Sequence, residues 1–351
     1  MPRLPRGRVK RVPLPASIQT TRWRNGESLS PDPRWQPLDL DDVKPSPLGD
    51  RINIVHREQF RDLCDPHGSI EQFIDSLPDI LAARELKSAV AAVVGSMECE
   101  APVVAALGGH VAKVGMGPVI NDLMERGVIS AIAMNGATAI HDLELAMIGQ
   151  TSEDVATSVA DGSFGMSRET ASAFRDASAD GAGGGGLGAA LGEWITSTGQ
   201  PHAEISMLAR ARQLGIPATV HVAIGTDIVH MHPGVAGAAM GEATAIDFRL
   251  LAAVVSDLAR GCWLNIGSAV VMPEVFLKVV NIARNLGQPL EGVTAINFDM
   301  MPHYRTSRNV LERPVERGIS LIGHHEINLP LFRVALLQRL QPSGGAGRND
   351  S

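Results

Sequence analysis

Six short apolar runs, at residues 102–107, 128–134, 218–224, 262–266, 292–298 and 319–322, recur through the chain with helix-patterned segments between them. Runs of this length without polar alternation suit strands buried on both faces. The helical periodicity is clearest at 245–259, where Ile246, Leu250, Leu251, Val254, Val255 and Leu258 share one face. Thr244 and Asp247 read there as a capping box, and Gly261 as the stop. Pro273 suits the first turn of the next helix, which runs through Ile282. Strand and helix in alternation with short glycine-containing joints predict an α/β fold, a doubly wound, mostly parallel, Rossmann-like sheet. Its ligand is expected outside the carboxyl ends of the strands.

Composition agrees: 36 glycines, 22 prolines and 4% aromatics among 351 residues favour many tight joints. No apolar stretch approaches the roughly 18 to 20 residues of a spanning helix, so no membrane partner is expected. Neither a secretory signal nor a disulfide framework is apparent in the basic N-terminus and the scattered Cys64, Cys99 and Cys262, which points to a cytoplasmic protein. The first 24 residues carry seven basic side chains and no acid, against a net charge of −7. That charge asymmetry suits a solvated arm, or one lying on an acidic neighbouring subunit, and nucleic acid is not expected as a partner. The expected division is a basic, Pro-rich arm at 1–68, a body at 69–340 and a disordered tail at 341–351.

Candidate chemistry gathers in the joints after the strands. Gly108 to Gly117 follow the first strand and offer backbone amides to a pyrophosphate. Asn135 to Asp142 follow the second and place His141 beside Asp142. Asp227, His230 and His232 follow the third, and Gly267, Ser268 and Ala269 the fourth. Asp299, His303, Arg305, Arg308 and Arg313 come after the fifth, and Gly323, His324 and His325 after the sixth. A GxGxxG match at Gly183, Gly185 and Gly188 follows a polar run rather than a strand, and reads as a connector into a helix. The histidines suit general acid/base work near neutral pH, since they need no partner ion. A metal centre built from Asp227, His230, His232 and His324/His325 is the alternative, although no recognised ligand spacing supports it. No GxSxG is present, and Cys99 follows an acid, Glu98, rather than a basic group, so nucleophilic serine or cysteine chemistry has little support.

Several joints also follow a known pattern. Residues 135–143 match the spacing and the final Asp-Leu of a Thr-Ala-Gly-Gly-Val-Glu-Glu-Asp-Leu loop. Ile216, Pro217, Thr226 and Asp227 are similar to an Ile-Pro strand leading to a Thr-Asp loop. Gly267, Ser268 and Ala269 stand at a triple-glycine turn, and Thr294, Ala295, Phe298 and Asp299 match Thr-Ala-x-x-Phe-Asp. Residues 323–326, ahead of Pro330 and Leu331, fall on Ala-Asp-Ala-Ser. On these motifs residues 70 to 340 resemble a deoxyhypusine synthase, the NAD-dependent family that moves an aminobutyl group from spermidine to a lysine of a translation factor.

The resemblance implies NAD as cofactor, held by Gly108, Gly117, Asn135, Asp227, Gly267, Ser268, Ala269, Thr294, Ala295, Asp299, Gly323 and His324. It also implies a homo-oligomer, a tetramer sharing its sites between subunits. The family's covalent lysine is missing, because no lysine follows Lys278, and only Lys113 or Lys278 could reach the site from another segment. The family's Lys-His-His is replaced by Met272, Pro273 and Glu274, and its polyamine-binding acids fall on His230 or His232, Pro302, Asn309 and Arg313. The expectation is therefore an enzyme that keeps NAD and hydride transfer, makes no deoxyhypusine, and acts on a small anionic or hydroxylated substrate. His232, Arg305, Arg308 and Arg313 would bind that substrate. His141 and His303 are the first acid/base candidates, with Asp142 orienting and His230 as a further one. A transferase using a free amine acceptor, a metal-dependent hydrolase and a non-catalytic ligand binder remain the alternatives.

Overall fold

The computed structural model describes residues 38–340; most of the basic arm and the tail lie outside the described residues. The chain divides into two compact units, Met1–Ile54 and Val55–Ser351. In the first, the described part is exposed chain with one 3-10 turn at Leu48–Asp50. The second contains a six-stranded sheet whose pairings are all parallel, flanked by helices.

Strands β1 (Val103–Leu107), β2 (Ala131–Asn135), β3 (Ala218–His221), β4 (Cys262–Ile266), β5 (Thr294–Asp299) and β6 (Arg317–Ile322) lie in the order β3-β2-β1-β4-β5-β6. Strand order reverses between β1 and β4, which makes their carboxyl ends the switch point of a doubly wound sheet. All six apolar runs are strands; β1 to β5 are buried at nearly every position, whereas the edge strand β6 buries Ile319 and Leu321 on one face only. Val103, Ala105 and Leu107 of β1 pack into one core layer and Val104 and Ala106 into the other, as the two-residue period of a strand requires.

On the first face lie helices α1 (Ile70–Ser76), α2 (Leu81–Glu98), α3 (Gly109–Lys113), α4 (Gly117–Glu125), α5 (Gly136–Ile148), α7 (Arg168–Asp180), α8 (Leu187–Ser197), α9 (Met207–Leu214) and α13 (His325–Leu340), with α6 (Val155–Asp161) at the periphery. α2 shows why: Leu86, Ala89, Val90 and Val93 recur at helical spacing and are buried together. Phe332 of α13 meets Phe298 edge-on, with ring centroids 5.2 Å apart. The second face carries α11 (Val271–Asn285) and the later half of α10 (Gly237–Ser256), whose Met240 and Ala243 join the first layer, and Phe276 of α11 stacks on Trp263 of β4 at 4.1 Å. A short helix, α12 (Tyr304–Thr306), continues into a π-helical turn, Ser307–Glu312, after β5.

One local expectation fails. Thr244 and Asp247 do not start a helix, because α10 begins at Gly237 and they sit inside it. They cover the open edge of β3 instead. Thr244 Oγ1 donates to the Val220 carbonyl at 2.7 Å, and Asp247 Oδ2 accepts the Val220 amide at 2.7 Å. An edge strand's unpaired backbone groups need such partners when they are buried. The GxGxxG match sits between α7 and α8, after a helix rather than a strand, which leaves the dinucleotide fingerprint without its context. No described helix is long and apolar enough to cross a membrane.

Candidate active site

The carboxyl ends of β1 to β3 open onto a cavity of about 790 Å³. Its walls come from α5, the β3 loop at Thr226–Ile228, Lys113 at the end of α3, and residues 150–170. His141 stands on α5 in this wall. Its Nδ1 lies 2.7 Å from Thr151 Oγ1, and Thr151 donates its only hydroxyl proton to Glu144 Oε2 at 2.5 Å. That network assigns the imidazole proton to Nδ1, because Thr151 can only accept from it, and leaves the Nε2 lone pair free. Glu144 is held from its other oxygen by Thr170 Oγ1 at 3.2 Å, itself 2.7 Å from Ser167 Oγ. Burial, with the Lys113 charge adding to it, lowers the His141 pKa to about 4, so the ring is neutral at physiological pH.

Thr151, Glu144 and Thr170 were not among the sequence candidates. Thr151 and Thr170 come from segments that only the fold brings to His141. Glu144 did leave a signal, since His141 and Glu144 are three residues apart on one helix and so share a face. The expected orienting residue, Asp142, points elsewhere because successive helical residues diverge by about 100°. It is fully buried and accepts from Ser206 Oγ at 2.6 Å and from the Met207 and Leu208 amides at 2.8 and 3.1 Å, which anchors the start of α9. Burial raises its pKa against those three hydrogen bonds.

Of the β3-loop candidates, Asp227 reaches the cavity. Its carboxylate packs on Gly136, where a Cβ would stand 2.1 Å from Oδ2; that oxygen has no partner, and burial raises the pKa. His230, an expected acid/base group, is instead tied to its own loop: its Nδ1 accepts the Gly225 and Asp227 amides at 3.1 and 3.3 Å and its Nε2 faces Met240 Sδ at 3.2 Å. His232, an expected substrate ligand, places its Nε2 2.9 Å from the Gly165 carbonyl. Asn135 caps its own helix, accepting from the Thr138 amide at 2.9 Å.

The crevice between β1 and β4 is close-packed backbone. A Cβ on Gly108 would lie 2.0 Å from the Gly267 carbonyl oxygen, and Gly267 adopts a left-handed φ of 66°. Ser268 Oγ accepts the Met272 amide at 3.2 Å, and Ala269 lies beside it half-buried. Asp299 closes β5 with Oδ2 3.7 Å from His303 Nε2, and Gly323 and the exposed His324 follow β6. His325 is 1% exposed, with neither ring nitrogen partnered.

Three further groups stand away from where they were expected. Thr294 and Ala295 open β5, so they lie buried at the end of the strand opposite Asp299, about 15 Å from the ligand edge by strand rise. Gly117 packs on the Ile205 carbonyl, which a Cβ would approach to 2.8 Å. The arginines lie outside the cavity wall: Arg305 pairs with Glu274 at 3.2 Å, Arg308 with Glu312, and Arg313 donates to Asn309 Oδ1 at 2.8 Å. The mixed metal set is split by the sheet, because β3 and β6 are its opposite edges, about 24 Å apart. Among the described residues no group of three metal-ligating side chains is assembled. His141 and His303 follow strands three steps apart, about 14 Å, so they face the crevice region from different halves of the sheet.

No family model matches the sequence, and no curated protein does. Solved structures match in fold. The complex of AgrE with ornithine and NAD+ superposes with a TM-score of 0.51 at 15% identity, covering 74% of this chain and 34% of AgrE. Unliganded AgrE gives 0.50 at 16% identity, covering 75% and 34%. A putative deoxyhypusine synthase from Entamoeba histolytica covers 78% of this chain and 94% of its own at 11% identity, with a TM-score of 0.44. The chain spans about a third of the length of AgrE and of the arginine dihydrolase ArgZ.

Proposed function

We propose that this chain is an NAD-dependent enzyme that removes a hydride and a proton from a small amine- or hydroxyl-bearing substrate held in the α5 cavity. The observation that carries this reading is His141: a neutral imidazole with a free Nε2, fixed by Thr151 and Glu144 inside a cavity at the carboxyl ends of the strands. The switch point between β1 and β4 is where a doubly wound sheet takes a dinucleotide, and Asp299 offers a carboxylate at that edge, although Gly108 and Gly267 are there for the close approach of the two strand ends and of His325. AgrE, alike in fold, has been crystallised with NAD+. Gly108, Gly267, Ser268, Ala269, Asp299, Gly323 and His324 would hold the cofactor. NAD+ supplies the hydride acceptor when bound.

The chain's own residues supply the rest. His141 Nε2 takes the proton from the substrate's hydroxyl or amine. A base with a pKa of about 4 suffices because that proton becomes strongly acidic as hydride leaves the adjoining carbon. Glu144, Glu153, Glu169 and Asp227 line the same cavity against a single Lys113, while Arg305, Arg308 and Arg313 do not line it. That balance favours a substrate amine over the anion that the arginines suggested. Met147, Ile148, Val155 and Phe164 would cover its apolar stem. Lys113 also keeps amine transfer as a second reading, because it puts a primary amine at the cavity, where an oxidised carbonyl could be held as an imine.

Calorimetry with NAD, followed by nicotinamide absorbance against a panel of amines and amino alcohols, tests the proposal. His141→Ala is expected to bind NAD normally and to lose about 100-fold or more in rate. Absence of NAD binding, or a rate indifferent to His141, would overturn it; borohydride trapping of substrate on Lys113 would favour the transfer reading.

A further inference from the structure

Residues 149–167 form one wall of the cavity and are held differently from the rest of it. α5 and β3 are buried in the core, whereas most of this segment is exposed, with Thr151, Phe164 and Ser167 half-buried and only Ser158 and Gly165 buried. Val155, Val159 and Met166 are at least half-exposed, and Gly149, Gly162 and Gly165 take left-handed φ angles of 67°, 81° and 72°. Few buried apolar contacts and glycines at its bends mark a segment that opens at low cost. Both side-chain hydrogen bonds between this segment and α5 pass through one hydroxyl: Thr151 accepts from His141 and donates to Glu144. At its far end Ser167 caps α7 through the Thr170 amide and meets Thr170 Oγ1, and its remaining side-chain fastenings hold the segment to itself or to the β3 loop. Glu153 Oε2 accepts the Gly165 amide at 2.9 Å, and the Gly165 carbonyl accepts from His232.

We propose that residues 149–167 are a closing strap and that Thr151 is the positioning residue through which closure sets the state of His141. The inference rests on His141 being the base of the site. With the strap closed, Thr151 fixes the proton on Nδ1 and leaves Nε2 bare on a ring that burial keeps neutral. When the strap lifts, both hydrogen bonds break together, the ring is free to turn, and water enters among Lys113, Glu144, Glu153, Glu169 and Asp227, the charged groups that line the cavity with it. Hydration removes the main cause of the low pKa, burial, while Lys113 and the carboxylates keep acting on the ring. Closure thus presents a bare acceptor to the substrate, and opening lets the proton out to solvent.

The test needs neither NAD nor substrate, so it stands apart from the fate of the proposed reaction. Imidazole nitrogen spectra and amide hydrogen exchange are compared for wild type, Thr151→Val and Thr151→Ser. In the wild type His141 is expected as the Nδ1–H tautomer, titrating near 4. Thr151→Val is expected to mix the tautomers, to move that titration toward the ordinary 6.5, and to speed exchange in residues 153–166 about tenfold. Thr151→Ser, which keeps the hydroxyl, should restore all three. A Thr151→Val protein with wild-type tautomer and titration, or with unchanged exchange in the strap, would overturn the proposal.

Discussion

Asp247 offers the sharpest test of how the β3 edge is built. It is fully buried on α10, with Oδ2 accepting the Gly188 amide at 2.9 Å and the Val220 amide at 2.7 Å, and with Oδ1 unpartnered. Burial pushes its pKa from 3.8 to about 7, and the backbone hydrogen bonds resist only in part. The native state therefore holds this proton more tightly than the unfolded chain does. Stability from that proton is fully present below about pH 4 and is lost as pH rises through about 7. Roughly three pKa units correspond to about 4 kcal/mol as an upper limit. Asp247→Asn keeps an oxygen for both amides and cannot ionise, so its stability should lack this component. Urea unfolding of both proteins across about pH 4 to 8 should show the variant gaining on the wild type by about 2 to 4 kcal/mol as pH rises. A difference that stays flat within about 1 kcal/mol over that range would refute the reasoning and leave the edge contacts without an electrostatic cost.

Other outcomes follow from the same geometry. Asp142→Ala should destabilise the fold by about 3 to 6 kcal/mol in chemical unfolding, because it strands two backbone amides and a hydroxyl at the start of α9; a loss under about 1 kcal/mol would show that α9 is anchored otherwise. Asp299→Ala should weaken NAD by about 1.5 to 3 kcal/mol in calorimetry, while Thr294→Val, at the far end of the same strand, should leave affinity unchanged. Equal effects of the two would remove Asp299 from the cofactor edge. Light scattering is expected to return a tetramer, and a monomeric mass would contradict that.

The sheet was readable from the chain because a parallel strand covered on both faces is predominantly apolar, and the short runs recur between helix-patterned segments. All six runs are strands, five of them buried on both faces and the edge strand β6 on one, and the two layers of helices follow from the alternation. Likewise, the places where chemistry gathers were legible as joints after strands. Which side chains meet in those joints was not. Thr151 and Thr170 reach Glu144 from outside α5, and no periodicity links them. Asp142 sits next to His141 in the chain and faces the opposite partner, since the helix turns by about 100° between them. The strand order placed β3 and β6 on opposite edges, separating histidines that looked like one cluster. A sequence records period and polarity, which decide what is buried and how each segment bends; it does not record the rotation of one segment against another, and that rotation alone decides which polar atoms come within hydrogen-bonding reach.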